Sequence, residues 1–104
     1  MDKVVKDGFV AVLSSPHYGA GWFTWHGIPE LVYNPAVVDM VEQRVDYQTI
    51  IDYCEFQYPA HPGTFMGAED LTVTWIKEGV EFVIEEYDGS ENIKFKSDFE
   101  WMTA

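Results

Sequence analysis

The sequence predicts a small α+β domain built on a mainly antiparallel sheet of about four strands, with two helices packed on one face. Two patterns support this fold class. From Leu71 onward, apolar residues recur at every second position, which is typical of half-buried strands. Between Pro35 and Tyr58 they instead follow the spacing of amphipathic helices. A chain of 104 residues can bury its own core, so residues 1–104 are expected to form a single domain.

The first predicted strand is the apolar run from Phe9 to Leu13. Its residues are continuously apolar, which is typical of a strand that is covered on both faces or lies centrally in its sheet. Pro16 ends this strand, because proline has no amide hydrogen to donate to a ladder. We expect the strand to join the sheet formed by the last third of the chain.

A first helix is predicted from Pro35 to about Gln43. Asn34 is a specific start signal, because its side chain accepts an otherwise unpaired amide hydrogen, and Pro35 has no amide hydrogen that needs a partner. The residues that this helix is expected to bury are Val37, Val38 and Val41.

A second helix is predicted after Asp46, whose side chain can cap the first turn. Pro59 and Pro62 end it. Phe65 and Met66 follow in a loop, where both look exposed. The apolar face of this helix comprises Tyr47, Ile50, Ile51, Cys54 and Tyr58. Cys54 is therefore expected to be a buried, unreactive thiol.

Three further strands are predicted from the alternating pattern. Turns at Glu78-Gly79 and at Asp88-Gly89-Ser90 separate them, so we expect an antiparallel meander with one solvated face. Phe99 and Trp101 are spaced to hold a short tail against this sheet. The alternating apolar residues are Leu71, Val73, Trp75, Val80, Phe82, Ile84, Ile93 and Phe95.

The composition limits the classes of partner. A net charge of −12 argues against direct nucleic-acid binding, which depends on clustered lysine and arginine. The single cysteine indicates a reducing compartment. No signal-like segment and no membrane-length apolar run is seen, so we expect a cytoplasmic protein with no membrane partner.

Residues 14–27 are here called the glycine loop. Their composition is the part of the sequence that the requirements of folding explain least well. The loop contains three glycines, two histidines and four aromatic residues. Closely spaced glycines can turn backbone amides inward to bind an anion, and Tyr18, Trp22 and Trp25 offer flat faces on which a base can stack. Trp22 and Trp25 also have a purely structural interpretation, as core residues that close the end of the sheet.

The candidate ligand-binding residues follow from this loop, with Arg44 added as a base that can reach a phosphate; Lys3 and Lys6 are further bases of this kind. The candidates are His17, Tyr18, Gly19, Ala20, Gly21, Trp22, Thr24, Trp25 and Arg44.

Catalytic and metal-binding patterns are weak. Ser14 and Ser15 lie near His17, but the sequence has no nucleophile-elbow pattern. His26 and His61 have no ligand partners at zinc-like spacing. We therefore expect no enzyme activity, no metal and no cofactor.

Four motifs resemble a group of small acidic phage and prophage proteins. They are DGFVAVL at residues 7–13, SPHYGAGWFTW at 15–25, EYDGSE at 86–91 and WMTA at 101–104. The resemblance spans nearly the whole chain, with a variable middle between about Asp39 and Gly67. We associate the group with phage sponge proteins, which sequester the cyclic nucleotide signals of the antiphage system CBASS.

The resemblance implies an immune-evasion protein of the host bacterial cytoplasm. Such a protein binds a cyclic nucleotide such as cyclic GMP-AMP without cleaving it, as a homo-oligomer, a dimer or a tetramer. A ligand with near two-fold symmetry suits a homo-oligomer, because a symmetric interface presents the same loop to both halves of the ligand.

A second hypothesis is an acidic nucleic-acid mimic. Such an inhibitor binds a basic surface of a host defence or transcription protein. The acids that would carry this role are Glu81, Glu85, Glu86, Asp88 and Glu91.

Overall fold

The computed structural model describes residues 1–96, and strand Phe9–Ser14 lies at the centre of its fold. The elements are, in chain order, β1 Val5–Lys6, β2 Phe9–Ser14, α1 Phe23–His26, α2 Glu30–Tyr33, α3 Pro35–Glu42, α4 Tyr47–Gln57, a 3₁₀ helix Met66–Asp70, β3 Thr72–Lys77, β4 Phe82–Tyr87 and β5 Ser90–Phe95. The α+β class is confirmed. Among residues 1–96, all strand pairs are antiparallel, and they form two sheets.

Strand β2 is the middle strand of a three-stranded sheet in the order β1-β2-β3. Val10 pairs with Val5 of β1 and with Ile76 of β3. Ala11 and Val12 are fully buried. Because successive side chains of a strand point to opposite faces, both faces of this sheet must be covered. The predicted strand with two covered faces is confirmed.

Helices cover the face of β2 that carries Ala11 and Leu13. Asn34 caps α3 as predicted, since its Oδ1 accepts hydrogen bonds from the amides of Ala36 at 2.9 Å and Val37 at 3.1 Å. Asp46 precedes α4 without a capping side-chain bond. The helical residues buried in this cluster are Val37, Val38, Ile50, Ile51 and Cys54. Val41 is half-buried at its margin.

Two residues of the predicted face of α4 differ from the rest. Tyr47 is exposed, because it lies in the first turn, beyond the edge of the cluster. Tyr58 is half-buried just past the helix, where its hydroxyl donates to Glu30 at 3.1 Å. Cys54 is buried, and this burial, together with the nearby Glu55, raises the pKa of its thiol to about 12. The thiol is therefore protonated and inert in the folded chain.

The hairpin β4–β5 covers the other face of β2, so the predicted single meander is wrong. Strand β3 pairs with β2 along its whole length, and β4 pairs with β5 in a separate sheet. The separation into two sheets arises because β2 and β3 leave one apolar face uncovered. The hairpin turns its own apolar side chains onto that face. This second cluster joins Val10, Val12, Val32 and Ile76 to Phe82, Ile84, Ile93 and Phe95.

Phe65 is a second correction, because it is fully buried rather than exposed. It precedes the 3₁₀ helix and lies beside Trp22, with 6.1 Å between the ring centroids. Met66 is exposed, as expected. The predicted tail residues Phe99 and Trp101 lie outside the described residues. Within residues 1–96, no helix has the length and apolar character needed to cross a membrane.

Candidate functional site

The glycine loop is held in place by one buried carboxylate, that of Glu91 in β5. This side chain is 1% exposed. One oxygen accepts from the amide of Ser15 at 2.9 Å. The other accepts from the amide of Thr24 at 2.9 Å and from its hydroxyl at 2.8 Å. The amide of Glu91 in turn donates to the carbonyl of Ser15 at 2.8 Å.

These bonds bear on the anion site that the sequence predicts. Hydrogen bonds to an ionised acceptor are about twice as strong as neutral ones. Two backbone amides of the loop donate to the chain's own Glu91, but they belong to Ser15 and Thr24, so the anion site at the glycine amides stays a prediction. Thr24 donates to this internal partner but remains exposed, so its role as a ligand-binding residue stays a prediction.

Two glycines outside the loop, Gly89 and Gly67, allow other segments to pack closely against the loop backbone. A Cβ on Gly89 in the β4–β5 turn would lie 1.5 Å from the carbonyl oxygen of Gly19. A Cβ on Gly67 would lie 2.3 Å from the carbonyl oxygen of Gly21. The amide of Gly19 also donates to the carbonyl of Asp88 at 3.2 Å. The backbone of the loop is thus pressed against the hairpin turn on one side and the 3₁₀ helix on the other.

Trp22 is a core residue. Its side chain is fully buried, and its indole nitrogen donates to the carbonyl of Leu31 at 2.9 Å. The ring meets His26 edge to face, with 4.8 Å between centroids. Of the two interpretations that the sequence leaves open, the structural one holds for Trp22, and stacking of a ligand on this ring is wrong.

Tyr18 and Trp25 are the exposed aromatic residues of the loop. Tyr18 is 73% exposed and Trp25 is 47% exposed. The indole of Trp25 lies over Gly21, since a Cβ there would be 2.8 Å from its Cδ1. His17, next to Tyr18, is also exposed, and Ala20 is half-buried. The loop therefore keeps two of its three predicted stacking faces.

Tyr87 joins this group, although it is not among the binding residues that the sequence predicts. It is 70% exposed at the end of β4. It neighbours Asp88, whose carbonyl accepts from Gly19, so Tyr18 and Tyr87 flank the same hydrogen bond. Its outward position in the alternation of β4 was the available signal.

Arg44 is exposed in the turn between α3 and α4, with a φ of 57°. Its amide donates to the carbonyl of Val41 at 3.1 Å, within that turn. No hydrogen bond or ion pair among residues 1–96 joins Arg44 to the glycine loop. The structure gives no support to its proposed contact with a phosphate held there.

His26 is enclosed in the core beneath the loop. Its Nδ1 accepts from the amide of Ile28 at 2.8 Å, and the rings of Trp22, Phe23 and Phe65 surround it. Burial, with a smaller effect of His61, lowers the pKa of His26 to about 4. The imidazole is neutral near pH 7. Among residues 1–96, no three histidine, cysteine or acidic side chains are grouped to hold a metal ion.

The acids of the hairpin do not form one free surface. Glu91 is buried, so its assignment to an acidic face is wrong. Glu81 pairs with the ammonium of Lys96 at 3.0 Å. Glu86 accepts from the amide of Gly89 at 2.7 Å. Glu85 and Asp88 are exposed.

An open groove of about 610 Å³ lies between the α1–α2 segment and β4. No single segment encodes it, which is why the sequence does not predict it. A smaller cavity of about 180 Å³ shares Tyr33, Val80 and Phe82 with the groove and is also lined by Lys3 and Lys77. The groove is lined by Phe23, Pro29, Val32, Tyr33, Val80, Glu81, Phe82, Val83 and Ile84.

Comparison with models of protein families, with curated proteins and with solved structures finds no match to this chain. Its function is therefore inferred from the geometry of its own residues.

Proposed function

We propose that this protein binds a cyclic nucleotide defence signal, such as cyclic GMP-AMP, and withholds it without cleaving it. The observation that carries the proposal is the exposure of Tyr18 and Trp25 on a loop whose backbone is anchored by buried Glu91. Preorganised aromatic faces lose little entropy when a base stacks on them. In a phage, such a protein acts in the host cytoplasm as an immune-evasion factor.

The spacing of the two faces suits a nucleotide. Trp25 lies over Gly21, and Tyr18 precedes Gly21 by three residues. Three residues span at most about 11 Å, so both rings are within reach of one small ligand. His17 precedes Tyr18 in the chain and offers its imidazole to a phosphate. The half-buried Ala20 lies between Tyr18 and Trp25 in the sequence and offers its backbone amide.

The energetics favour an oligomer. Stacking contributes about 1–3 kcal/mol per base, whereas nanomolar capture requires about −12 kcal/mol. Two bases and two phosphates therefore need more contacts than one loop supplies. A homodimer or homotetramer that places two loops around a near two-fold ligand doubles every contact.

The test is a titration of the purified protein with cyclic di- and trinucleotides, followed by tryptophan fluorescence and by size-exclusion mass. We expect one ligand to quench the fluorescence, to bind an oligomer and to return intact after heat denaturation. Trp25→Ala should weaken binding at least tenfold. The matched control is Phe56→Ala, because Phe56 is 83% exposed on α4 and should leave affinity unchanged.

Two binding results contradict this proposal. One is a protein that responds to no nucleotide in the panel. The other is an equal affinity for the ligand in Trp25→Ala, Tyr18→Ala and the unmodified protein. Recovery of a hydrolysed nucleotide would replace the sponge with an enzyme.

A further inference from the structure

The geometry points to a second ligand site: we propose that the groove between the α1–α2 segment and β4 binds a small amphipathic carboxylate, an apolar body with one anionic head. The glycine loop contributes Phe23 to one wall of the groove, but the other lining residues lie outside that loop, and the ligand differs in chemistry from a nucleotide. Its volume of about 610 Å³ lies within the range of about 300–1,000 Å³ that is typical of small-molecule sites.

The walls of the groove are apolar and therefore favour a ligand with an apolar body. Phe23 and Val32 come from the helical side, and Phe82 and Ile84 come from β4. These four side chains belong to the cluster that lies between the sheet and the hairpin, so the groove opens directly onto core packing. Such walls favour an alkyl chain or a plain ring. They offer few partners to the polar edges of a nucleobase.

The positive charges at one end of the groove favour an anionic head group. Lys3 and Lys77 line the small cavity that continues the groove past Tyr33. The ammonium of Lys3 lies 4.5 Å from the centroid of the Tyr33 ring, which places this cation beside the groove that Tyr33 lines. Two lysines at one place stand out in a chain of six basic and eighteen acidic residues.

The acid of the groove does not cancel these lysines. Glu81 lines the groove, but its carboxylate pairs with the ammonium of Lys96 at 3.0 Å. Burial also raises the pKa of Tyr33, so its hydroxyl remains protonated near neutral pH and can donate to a carboxylate. One end of the groove is therefore cationic and the remainder is apolar.

The cationic end of this groove is separated from Tyr18 of the glycine loop, although Phe23 of that loop lines the groove. The groove involves Val80 to Ile84, at the beginning of the hairpin, whereas Gly19 contacts Asp88 at its turn. Val80, at the cationic end of the groove, precedes Asp88 by eight residues, which span about 26 Å of extended chain, so a small ligand with its head at that end does not reach Tyr18. Each site can therefore be tested without the other.

The experiment compares octanoate with 1-octanol by isothermal titration calorimetry on the full chain. The two probes share an apolar body and differ in the head. We expect octanoate to bind one site per chain at least tenfold more tightly than octanol. Its advantage should shrink as salt rises, because exposed charges are screened beyond about 8 Å at physiological ionic strength.

Three variants locate the site. The double variant Lys3→Gln with Lys77→Gln should weaken octanoate about tenfold and leave octanol unchanged. Lys94→Gln is the matched control, because it removes an exposed lysine of β5 that does not line the groove. Val80→Asp should abolish binding of both probes. Val80 is 40% exposed, so this variant is expected to keep the unmodified melting temperature.

Equal binding of octanoate and octanol overturns the proposal, and so does octanoate affinity that is insensitive to Val80→Asp. Displacement of octanoate by a cyclic nucleotide also overturns it and assigns the groove to that ligand. A failure of cyclic nucleotides to bind at all leaves the octanoate result standing, since none of these variants changes a residue of the glycine loop.

Discussion

Glu91 is the residue on which the geometry of the glycine loop depends. Its carboxylate joins β5 to Ser15 and Thr24 through three accepted hydrogen bonds, across up to 76 residues of sequence. A buried carboxylate is costly unless its oxygens are satisfied, and here donors on both oxygens satisfy it. The same side chain that looks like a surface acid in the sequence is an internal ligand.

Glu91→Gln is expected to lower the free energy of unfolding by about 1–3 kcal/mol, because the amide nitrogen of glutamine faces a donor instead of accepting from it. Urea denaturation measures the change. Glu85→Gln in the adjacent strand is the control and should change stability by less than about 0.5 kcal/mol, since Glu85 is exposed. Equal midpoints for the two variants would show that the carboxylate does not hold the loop.

His26 makes stability depend on pH. Its pKa is about 4 in the folded chain, below the ordinary 6.5, because burial disfavours the charged ring. The unfolded chain therefore takes up the proton first. Stability from this group is fully present above pH 6.5 and is lost as pH falls to 4, by about 3 kcal/mol in total.

His26→Asn is expected to remove that pH dependence while keeping an oxygen to accept from the amide of Ile28. The measurement is urea stability of both proteins at several pH values between 4 and 7. As the pH falls from 7 to 4, the free energy of unfolding of the unmodified protein should fall relative to that of His26→Asn. Parallel curves would mean that His26 does not carry a lowered pKa.

At the scale of elements, the contact between the 3₁₀ helix and the glycine loop leaves no room for a side chain. Gly67 has no room for a side chain, because the carbonyl of Gly21 lies where its Cβ would be. The short helices α1 and α2 depend on such contacts as well. Helices of four residues are unstable alone, so tertiary packing must hold them.

Gly67→Ala is expected to cost about 1–3 kcal/mol through overpacking against the carbonyl of Gly21. Its φ is not positive, so steric contact and not backbone strain is the cause. Thermal unfolding reports the change, with Glu69→Ala in the same helix as the control because that side chain is exposed. Matching melting temperatures would argue that the loop moves aside without cost.

At the scale of the whole molecule, β2 joins two apolar clusters. Ala11 and Leu13 belong to the cluster on the helix side, and Val10 and Val12 belong to the cluster on the hairpin side. One strand therefore takes part in both halves of the core, and neither half can lose its packing without exposing part of the other.

Unfolding is consequently expected to be one cooperative transition. Val38→Ala on the helix side and Ile93→Ala on the hairpin side should each lower the free energy of unfolding by about 1–4 kcal/mol. The urea midpoint of each variant should fall accordingly. Far-UV circular dichroism and tryptophan fluorescence should report the same midpoint in each variant. Two separate transitions in Ile93→Ala would mean that the hairpin unfolds independently.

The sequence by itself determined the elements whose signals are local. The cap at Asn34, the apolar run of β2, the 3.6-residue period of α4 and the two-residue period of the hairpin each depend on near neighbours, and the structure agrees with them. Tyr18 and Trp25 were also selected from the sequence, and both are exposed.

Only the tertiary structure decided the rest, because contacts between distant segments control it. Local pattern cannot tell that Glu91 is buried and Glu85 exposed, since both are acids on one hairpin. Burial of Trp22 depends on Leu31 and Phe65, and the groove exists only where α1, α2 and β4 meet. The split into two sheets arises because both faces of β2 must be covered, a requirement that the whole chain satisfies and no single segment expresses.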